Sequence, residues 1–370
     1  MTILVFLSHP AQFLFYKNPV QRLRDKGHHV FVVIKTKDVL KELLEEAGWD
    51  YIVIRQKKRS KSYLSFFQNL VLRDYGIYIA ARIIKPDLLM GSDASVTHVG
   101  KLLDIPCITT LEDDYAVIKN LVRLSYPFTS HILTPESCSV GNWQHKKIGY
   151  KGYMKLSYLH PSVFRPDRSL LSHDPEEPFF LIRLSGLEAH HDFGVKGIGE
   201  ALLDDIISVL SGKGRIYITS EKSVPAHYQK YLLKIPPSQL HHYLYFAKML
   251  ICDSQSMAVE ASILGTPNIR ISSFKGKISV LEELENKYGL TTGFLPGENE
   301  KVIVKIRELL QPEASGEQYR ARNQKMLHEK LDVASFMVWF IENYPQSAET
   351  MKATPDFQNR FIAAEINTVK

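Results

Sequence analysis

Short apolar strands alternating with amphipathic helices predict an α/β protein built from two doubly wound parallel sheets. Three observations carry that prediction. The alternation runs through almost the whole chain, the pattern of strands buried on both faces beneath crossover helices. A Pro-, Asp- and Ser-rich stretch, "HPSVFRPDRSLLSHDPEEP" at 160–178, interrupts it once and reads as a linker. The length of 370 residues is long for one core and comfortable for two.

In chain order, strands are expected at 2–7, 29–34, 51–54, 87–91, 106–111 and 131–135, with helical periodicity at 38–48 and 64–85 between them. After the linker come strands at 179–182, 215–219, 248–252 and 268–271. Helices are expected near 196–212, across 226–246, and at about 255–264, 277–288, 298–311 and 316–343. This gives an N-terminal domain at 1–165, a linker at 166–178, a second domain at 179–345 and a tail at 346–370 with no assigned role. In such sheets ligands bind beyond the carboxyl ends of the strands, where the connections part. Two such domains facing one another are expected to enclose a cleft.

The composition, 45% hydrophobic and 23% charged, is that of an ordinary globular protein. No apolar run approaches the roughly 20 residues that span a bilayer. The start "MTILVFLSHP" lacks a basic region and a small-residue cleavage site, so it reads as a strand rather than a signal peptide. Cys107, Cys138 and Cys252 are too few and too scattered for a disulfide framework or a zinc site, and a cytoplasmic location is expected. Residues 1–165 carry 23 Lys/Arg against 14 Asp/Glu, whereas residues 166–370 carry 23 against 26. The basic half is expected to meet something anionic. Its densest stretch, "RQKKRSKSYLSFF" at 55–67, is either a solvated loop or a contact with an anionic acceptor or membrane surface. No finger, recognition helix or RNA platform is present, so nucleic acid is not an expected partner.

The most informative segment is "AKMLICDSQSMAVEASILGTPNIRI" at 247–271. A strand ends at Asp253, and Ser254, Gln255 and Ser256 open a helix whose free N–H groups and positive dipole end suit a phosphate. Glu260 lies one turn beyond Ser256 on the same face, placed for the two hydroxyls of a ribose. The plainer alternative is a serine N-cap and a surface carboxylate. A second cluster, "IRLSGLEAHHDFGVKGIGEALL" at 182–203, puts Arg183 at a strand tip, able to pair bidentately with a phosphate or a carboxylate. It also holds His191 and Asp192, a proton-transfer pair or a helix-capping turn. Adjacent His190 and His191 lack ligand spacing, so no metal is expected. In the first half, Asp93 follows one strand, and Glu112, Asp113 and Asp114 follow the next. Carboxylates gathered in a cleft can supply a general base, whereas N-capping is the structural alternative. The turn Ser8-His9-Pro10 at the tip of the first strand adds a histidine.

The stretch "AKMLICDSQSMAVEASILGTP" resembles "ADLVxxDSGGxxEEAxxLGxP" of the UDP-N-acetylglucosamine 2-epimerases, which share the GT-B fold with many glycosyltransferases. The resemblance implies that Ser254, Gln255 and Ser256 hold the UDP phosphates and that Glu260 takes the ribose. Gln255 and Ser256 stand where that family has two glycines. Three blocks are similar, over nearly the whole chain, to a family of uncharacterised prokaryotic proteins of the same superfamily. They are "SHPAQFLFYKNPVQRLRDKGHHV", "TPESCSVGNWQHKKIGYKGYMKLSYLHPSVFRPD" and "DSQSMAVEASILGTPNIRISSFKGKISVLEELENKYGL". That family also has a run like "HHDFGVKG". Asp93 is positioned like the Asp of the epimerases' "GDT" turn, and Glu112 lies near their cleft glutamate. Their third carboxylate motif and "HRREN" block have no counterpart here.

The expectation is therefore a GT-B fold and a glycosyltransferase using a nucleotide sugar, UDP foremost, for a surface polysaccharide or glycolipid. The base activating the acceptor would be Asp93, Glu112, Asp114 or His9, and no metal or other cofactor would be required. Two alternatives stand beside it: a UDP-sugar 2-epimerase, hydrolysing or not, and a non-catalytic nucleotide-sugar binding protein. The last is motivated by Gln12, Leu14 and Phe6, which replace two histidines and an acidic residue of the related family. Expected partners are the nucleotide sugar, a glycan or lipid-linked acceptor and the inner face of an anionic membrane.

Overall fold

The computed structural model describes residues 1–35, 38–54, 63–174, 176–185, 197–221, 223–311 and 316–362. The described residues separate into two compact units, one formed by Met1–Tyr158 and residues 331–362, the other by Leu159–Lys330.

The first unit holds a seven-stranded sheet of β1 (Thr2–Leu7), β2 (His29–Lys35), β3 (Ile52–Ile54), β4 (Leu88–Gly91), β5 (Cys107–Thr110), β6 (His131–Pro135) and β7 (Lys147–Tyr150). Their order is β3-β2-β1-β4-β5-β6-β7, and every pairing is parallel. The connections therefore part between β1 and β4. Leu4, Phe6, Val33, Leu89 and Val96 form its core with Ile77, Ala80 and Ala81 of the helix Tyr63–Ile84.

The second unit holds β8 (Phe179–Leu184), β9 (Arg215–Ser220), β10 (Met249–Cys252), β11 (Asn268–Ile271) and β12 (Thr292–Phe294). Their order is β12-β11-β10-β8-β9, again all parallel, so the switch point lies between β8 and β10. Phe180, Ile182, Ile218, Met249 and Ile251 pack against Leu203 and Ile206 of the helix Glu200–Leu210 and Val302 and Ile306 of Asn299–Leu309.

Ten strands fall where the sequence places them; β7 and β12 are additions. The domain limits differ from the expected 165/166 and 345/346. The expected linker is part of the second unit: the Asp167 amide donates to His242 Nδ1 at 3.0 Å and the Ser172 amide to Tyr243 Oη at 2.6 Å. The single helix expected at 316–343 is two, Gly316–Glu329 and Val333–Glu342, because Asp332 caps the second through the Ser335 amide at 2.9 Å. The chain changes units at that break.

The tail then locks onto the first unit. Leu331 N donates to Lys151 O at 2.9 Å, Lys151 N to Gln358 Oε1 at 2.7 Å, and Gln358 Nε2 to Glu136 Oε1 at 3.0 Å. Trp339 stacks with Phe357 and Phe361 at 4.7 and 5.6 Å between ring centroids.

One contact of this tail gives the unit a pH response. His131 Nδ1 lies 3.0 Å from the Tyr344 hydroxyl, and burial, with Lys352 and Lys146 nearby, lowers the ring pKa from 6.5 to about 4. The folded value is below the unfolded one, so the associated stability is present above pH 6.5 and is lost as pH falls toward 4. Solvent screening of the half-buried ring leaves a contribution of about 1–2 kcal/mol. Urea midpoints at pH 7 and 4.5 should therefore differ more in the wild type than in His131→Gln. An equal difference would remove His131 as the cause.

Candidate functional site

At the carboxyl edge of the first sheet, the strand ends flanking the switch point both become helix N-caps. His9 Nδ1 accepts the Ala11 amide at 3.2 Å, and Gln12 Oε1 reaches back to the Ser8 amide at 2.6 Å. With Pro10 at the first helical position, this is a reciprocal cap on the helix Pro10–Asp25. Nδ1 of exposed His9 is therefore an acceptor, which in a neutral ring puts the proton on Nε2. Asp93 Oδ1 accepts the Ser95 amide at 3.0 Å and lies 3.4 Å from Arg73 Nε. Glu112 and Asp114, beyond β5, are buried. Glu112 accepts the Met154 amide at 2.6 Å and is ion-paired to Lys155; Asp114 accepts the Ser139 amide at 2.7 Å. Residue types chosen for catalysis thus carry fastening roles at this edge.

The second sheet gathers more chemistry at its carboxyl edge. Register places Thr219, Arg183, Cys252, Arg270 and Gly293 side by side across all five strands, so their side-chain positions share one face. Two arginines therefore flank the central strand. Arg183 is ion-paired to Glu221, but its Nε is buried without a hydrogen-bond partner among the described residues, as are Thr219 Oγ1 and Gln255 Oε1. Arg270 is fully buried, its Nη2 lying 2.9 Å from Glu282 and 3.0 Å from Glu285. Burial and neighbouring Asp253 push the Cys252 thiol up to about 12, while the two arginines pull the other way, so it is a core thiol and not a nucleophile.

Immediately after this row, the switch point is stitched by a carboxylate. Asp253 accepts the Ser185 amide at 2.6 Å and the Ile198 amide at 3.4 Å, and burial raises its pKa despite those bonds. Ser254 then caps the helix Gln255–Leu264 by accepting the Met257 amide at 3.3 Å, leaving the first-turn N–H groups without intrahelical acceptors. Glu260, on the same helix, is buried, with His241 Nε2 of the helix Leu240–Phe246 3.5 Å from its Oε2. Among the described residues, no group of three or more His, Cys, Asp or Glu is placed to hold a metal ion.

Structural comparison finds matches over most of the chain. The chain matches the UDP-bound structure of MnaA from S. aureus with a TM-score of 0.70 at 13% identity, covering 94% of this chain and 97% of that one. It matches UDP-GlcNAc 2-epimerase from Neisseria meningitidis bound to UDP-GlcNAc with a TM-score of 0.60 at 13% identity, covering 86% and 94%. The rhamnosyltransferase SpnG complexed with thymidine diphosphate gives 0.58 at 14% identity, covering 92% and 100%. The fold is GT-B. No protein-family model matches the sequence, and no curated protein matches it.

Within this GT-B chain, Arg183, Ser254, Gln255, Ser256 and Glu260 all belong to the second unit, and all but Glu260 sit at the ends of β8 and β10. His191 and Asp192 lie outside the described residues. His9, Asp93, Glu112 and Asp114 follow β1, β4 and β5 in the first unit. Asp253, Thr219, His241 and Arg270 were not singled out from sequence. Asp253 had a signal, an acid between a buried strand and a helix N-cap. Thr219 and Arg270 had none, because only strand register brings them beside Arg183 and Cys252.

Proposed function

We propose that this protein transfers a glycosyl group from a nucleotide sugar, with UDP as the nucleotide, to a glycan or lipid-linked acceptor in surface polysaccharide or glycolipid synthesis. The observation supporting it is the set of buried polar atoms on Arg183, Thr219 and Gln255 that lack partners among the described residues, at the carboxyl edge of the second sheet. Buried polar groups demand a partner, and a diphosphate supplies oxygens for the donors. In this reading the diphosphate rests on the Ser254–Ser256 turn and Arg183, displacing Glu221 from the guanidinium. The helix dipole and guanidinium stabilise the leaving diphosphate without requiring a bound metal. Glu260, held beside His241, accepts the two ribose hydroxyls. Acceptor chemistry falls to the first unit, where Asp93 at the switch point is the base and His9 a contact donor; Glu112 and Asp114 hold the edge in shape.

Calorimetry with UDP should show Glu260→Ala binding at least tenfold more weakly than wild type, about 1.4 kcal/mol, with Glu260→Gln intermediate. Unchanged affinity in the alanine variant would remove the ribose contact and this reading. The epimerase alternative draws on the same donor site and is separated by chemistry. Purified protein incubated with UDP-N-acetylhexosamine alone should leave the sugar unchanged by NMR; inversion at C2 or UDP release without acceptor would favour the alternative.

A further inference from the structure

Arg183 and Arg270 stand in one row on the second sheet, on either side of Cys252, but they are paired in different ways. The Arg270 side chain is 0% exposed and is held by Glu282 and Glu285 together. Those carboxylates also accept the Gly276 and Gly293 amides, so that pairing is part of the fold. Arg183 has Glu221 alone as its ion-pair partner among the described residues. Here the exposures are unequal, 17% for the arginine side chain and 55% for the glutamate. Glu221 directly follows β9, and its amide donates to Leu184 O at 3.2 Å, so its backbone is fixed while its side chain stands half in solvent.

The pair also leaves the guanidinium half served. Glu221 takes Nη2, whereas Nε is buried without a hydrogen-bond partner among the described residues. A carboxylate that holds an arginine firmly engages two of its nitrogens in a fork. Thr219 lies directly opposite Arg183 in the strand register, on the same face, and its hydroxyl is likewise buried without a partner there. A tetrahedral anion has the oxygens to serve Nε and that hydroxyl together, which a carboxylate on Nη2 alone does not. An ion pair so exposed on one side adds little to stability. Its effect falls instead on whatever else would bind the guanidinium.

We propose that Glu221 is a displaceable stand-in for phosphate on Arg183, which swings aside when the diphosphate binds and returns to speed its release. This rests on the diphosphate seat proposed above and adds how that seat is emptied. After glycosyl transfer the nucleoside diphosphate is left on the guanidinium. A carboxylate tethered beside it competes at a high effective concentration, so the ion pair re-forms and the product leaves quickly. Glu221 is thus a positioning residue that acts through Arg183.

The test is calorimetry and stopped-flow dissociation with UDP on the full chain, in wild type, Glu221→Gln, Arg183→Gln and the double variant. Glu221→Gln should bind UDP about fivefold more tightly, the worth of a half-exposed ion pair, chiefly through slower dissociation. Uridine, which carries no phosphate, should bind wild type and Glu221→Gln alike. Loss of a negative charge would by itself favour an anion, and the double variant separates that effect from the pairing. Without Arg183, Glu221→Gln should no longer change UDP affinity. Should Arg183→Gln bind too weakly to titrate, Glu221→Asp decides, because it keeps the charge but is one methylene short of the pair, and it should still gain affinity. Unchanged UDP affinity in Glu221→Gln, an equal gain with and without Arg183, or no gain in Glu221→Asp would overturn the proposal. So would a Glu221→Gln protein that melts several degrees lower with wild-type affinity, since the pair would then be structural. Failure of the donor-site reading looks different: Glu260→Ala and Arg183→Gln would both bind UDP as wild type does.

Discussion

Arg270→Ala is expected to destabilise the second unit by about 3–5 kcal/mol, the cost of removing one partner from a buried ion pair. Arg270 is the largest fully buried side chain among the described residues, and its Nη2 serves Glu282 and Glu285 together. Those carboxylates in turn accept the Gly276 and Gly293 amides at 2.9 and 3.0 Å, so one guanidinium fastens the turn after β11 and the edge strand β12. Gly293 is required there, since a Cβ would lie 3.0 Å from the guanidinium carbon. Truncation leaves two half-buried carboxylates facing one another around a cavity. Thermal unfolding should show the second unit melting about 10 °C lower. Arg270→Met fills the cavity but leaves the carboxylates unpaired, and should recover only part of the loss. A change below about 1 kcal/mol in the alanine variant would mean that water already neutralises the cluster.

Gly197→Ala should cost at least a hundredfold in UDP affinity, with a smaller loss of stability of about 1–3 kcal/mol from overpacking. Gly197 sits directly over Asp253. A Cβ at that position would collide with Asp253 Oδ2 and lie only 2.7 Å from its Cβ and 2.8 Å from its Cγ. Backbone cannot yield cheaply on either side, because Asp253 holds the Ser185 and Ile198 amides. Moving Asp253 moves Ser254 and the start of the helix Gln255–Leu264 with it. Calorimetry on the purified variant measures the affinity, and circular dichroism shows whether the fold survives. Wild-type affinity in a folded Gly197→Ala protein would place the nucleotide elsewhere.

The periodicity that made β1, β2, β8 and β10 legible is strong because buried parallel strands are uninterrupted apolar runs. The two strands that escaped reading, "KIGY" and "TGF", are three or four residues long and carry a glycine, so no period of two can establish itself. The helix break at Asp332 was hidden for the opposite reason: apolar residues continue with helical spacing on both sides, although the two sides serve different units. The order of the 160–178 stretch and of the tail is hidden in the sequence because the partners that hold them lie far away along the chain. His242 is 75 residues from Asp167, and Lys151 is 207 from Gln358.

The candidate residues divide the same way. Ser254 and Asp93 could be read as helix starts because capping is local, decided by residues two or three positions apart. That Glu112 would be engaged by Lys155, 43 residues on, was beyond any local rule. The sequence by itself determined the two doubly wound α/β sheets, the caps at their strand ends and the serine turn with Glu260 one turn beyond. Only the tertiary structure decided which polar groups meet: parallel pairing fixes register between strands dozens of residues apart, and that register sets Thr219, Arg183, Cys252 and Arg270 in one row beside the turn.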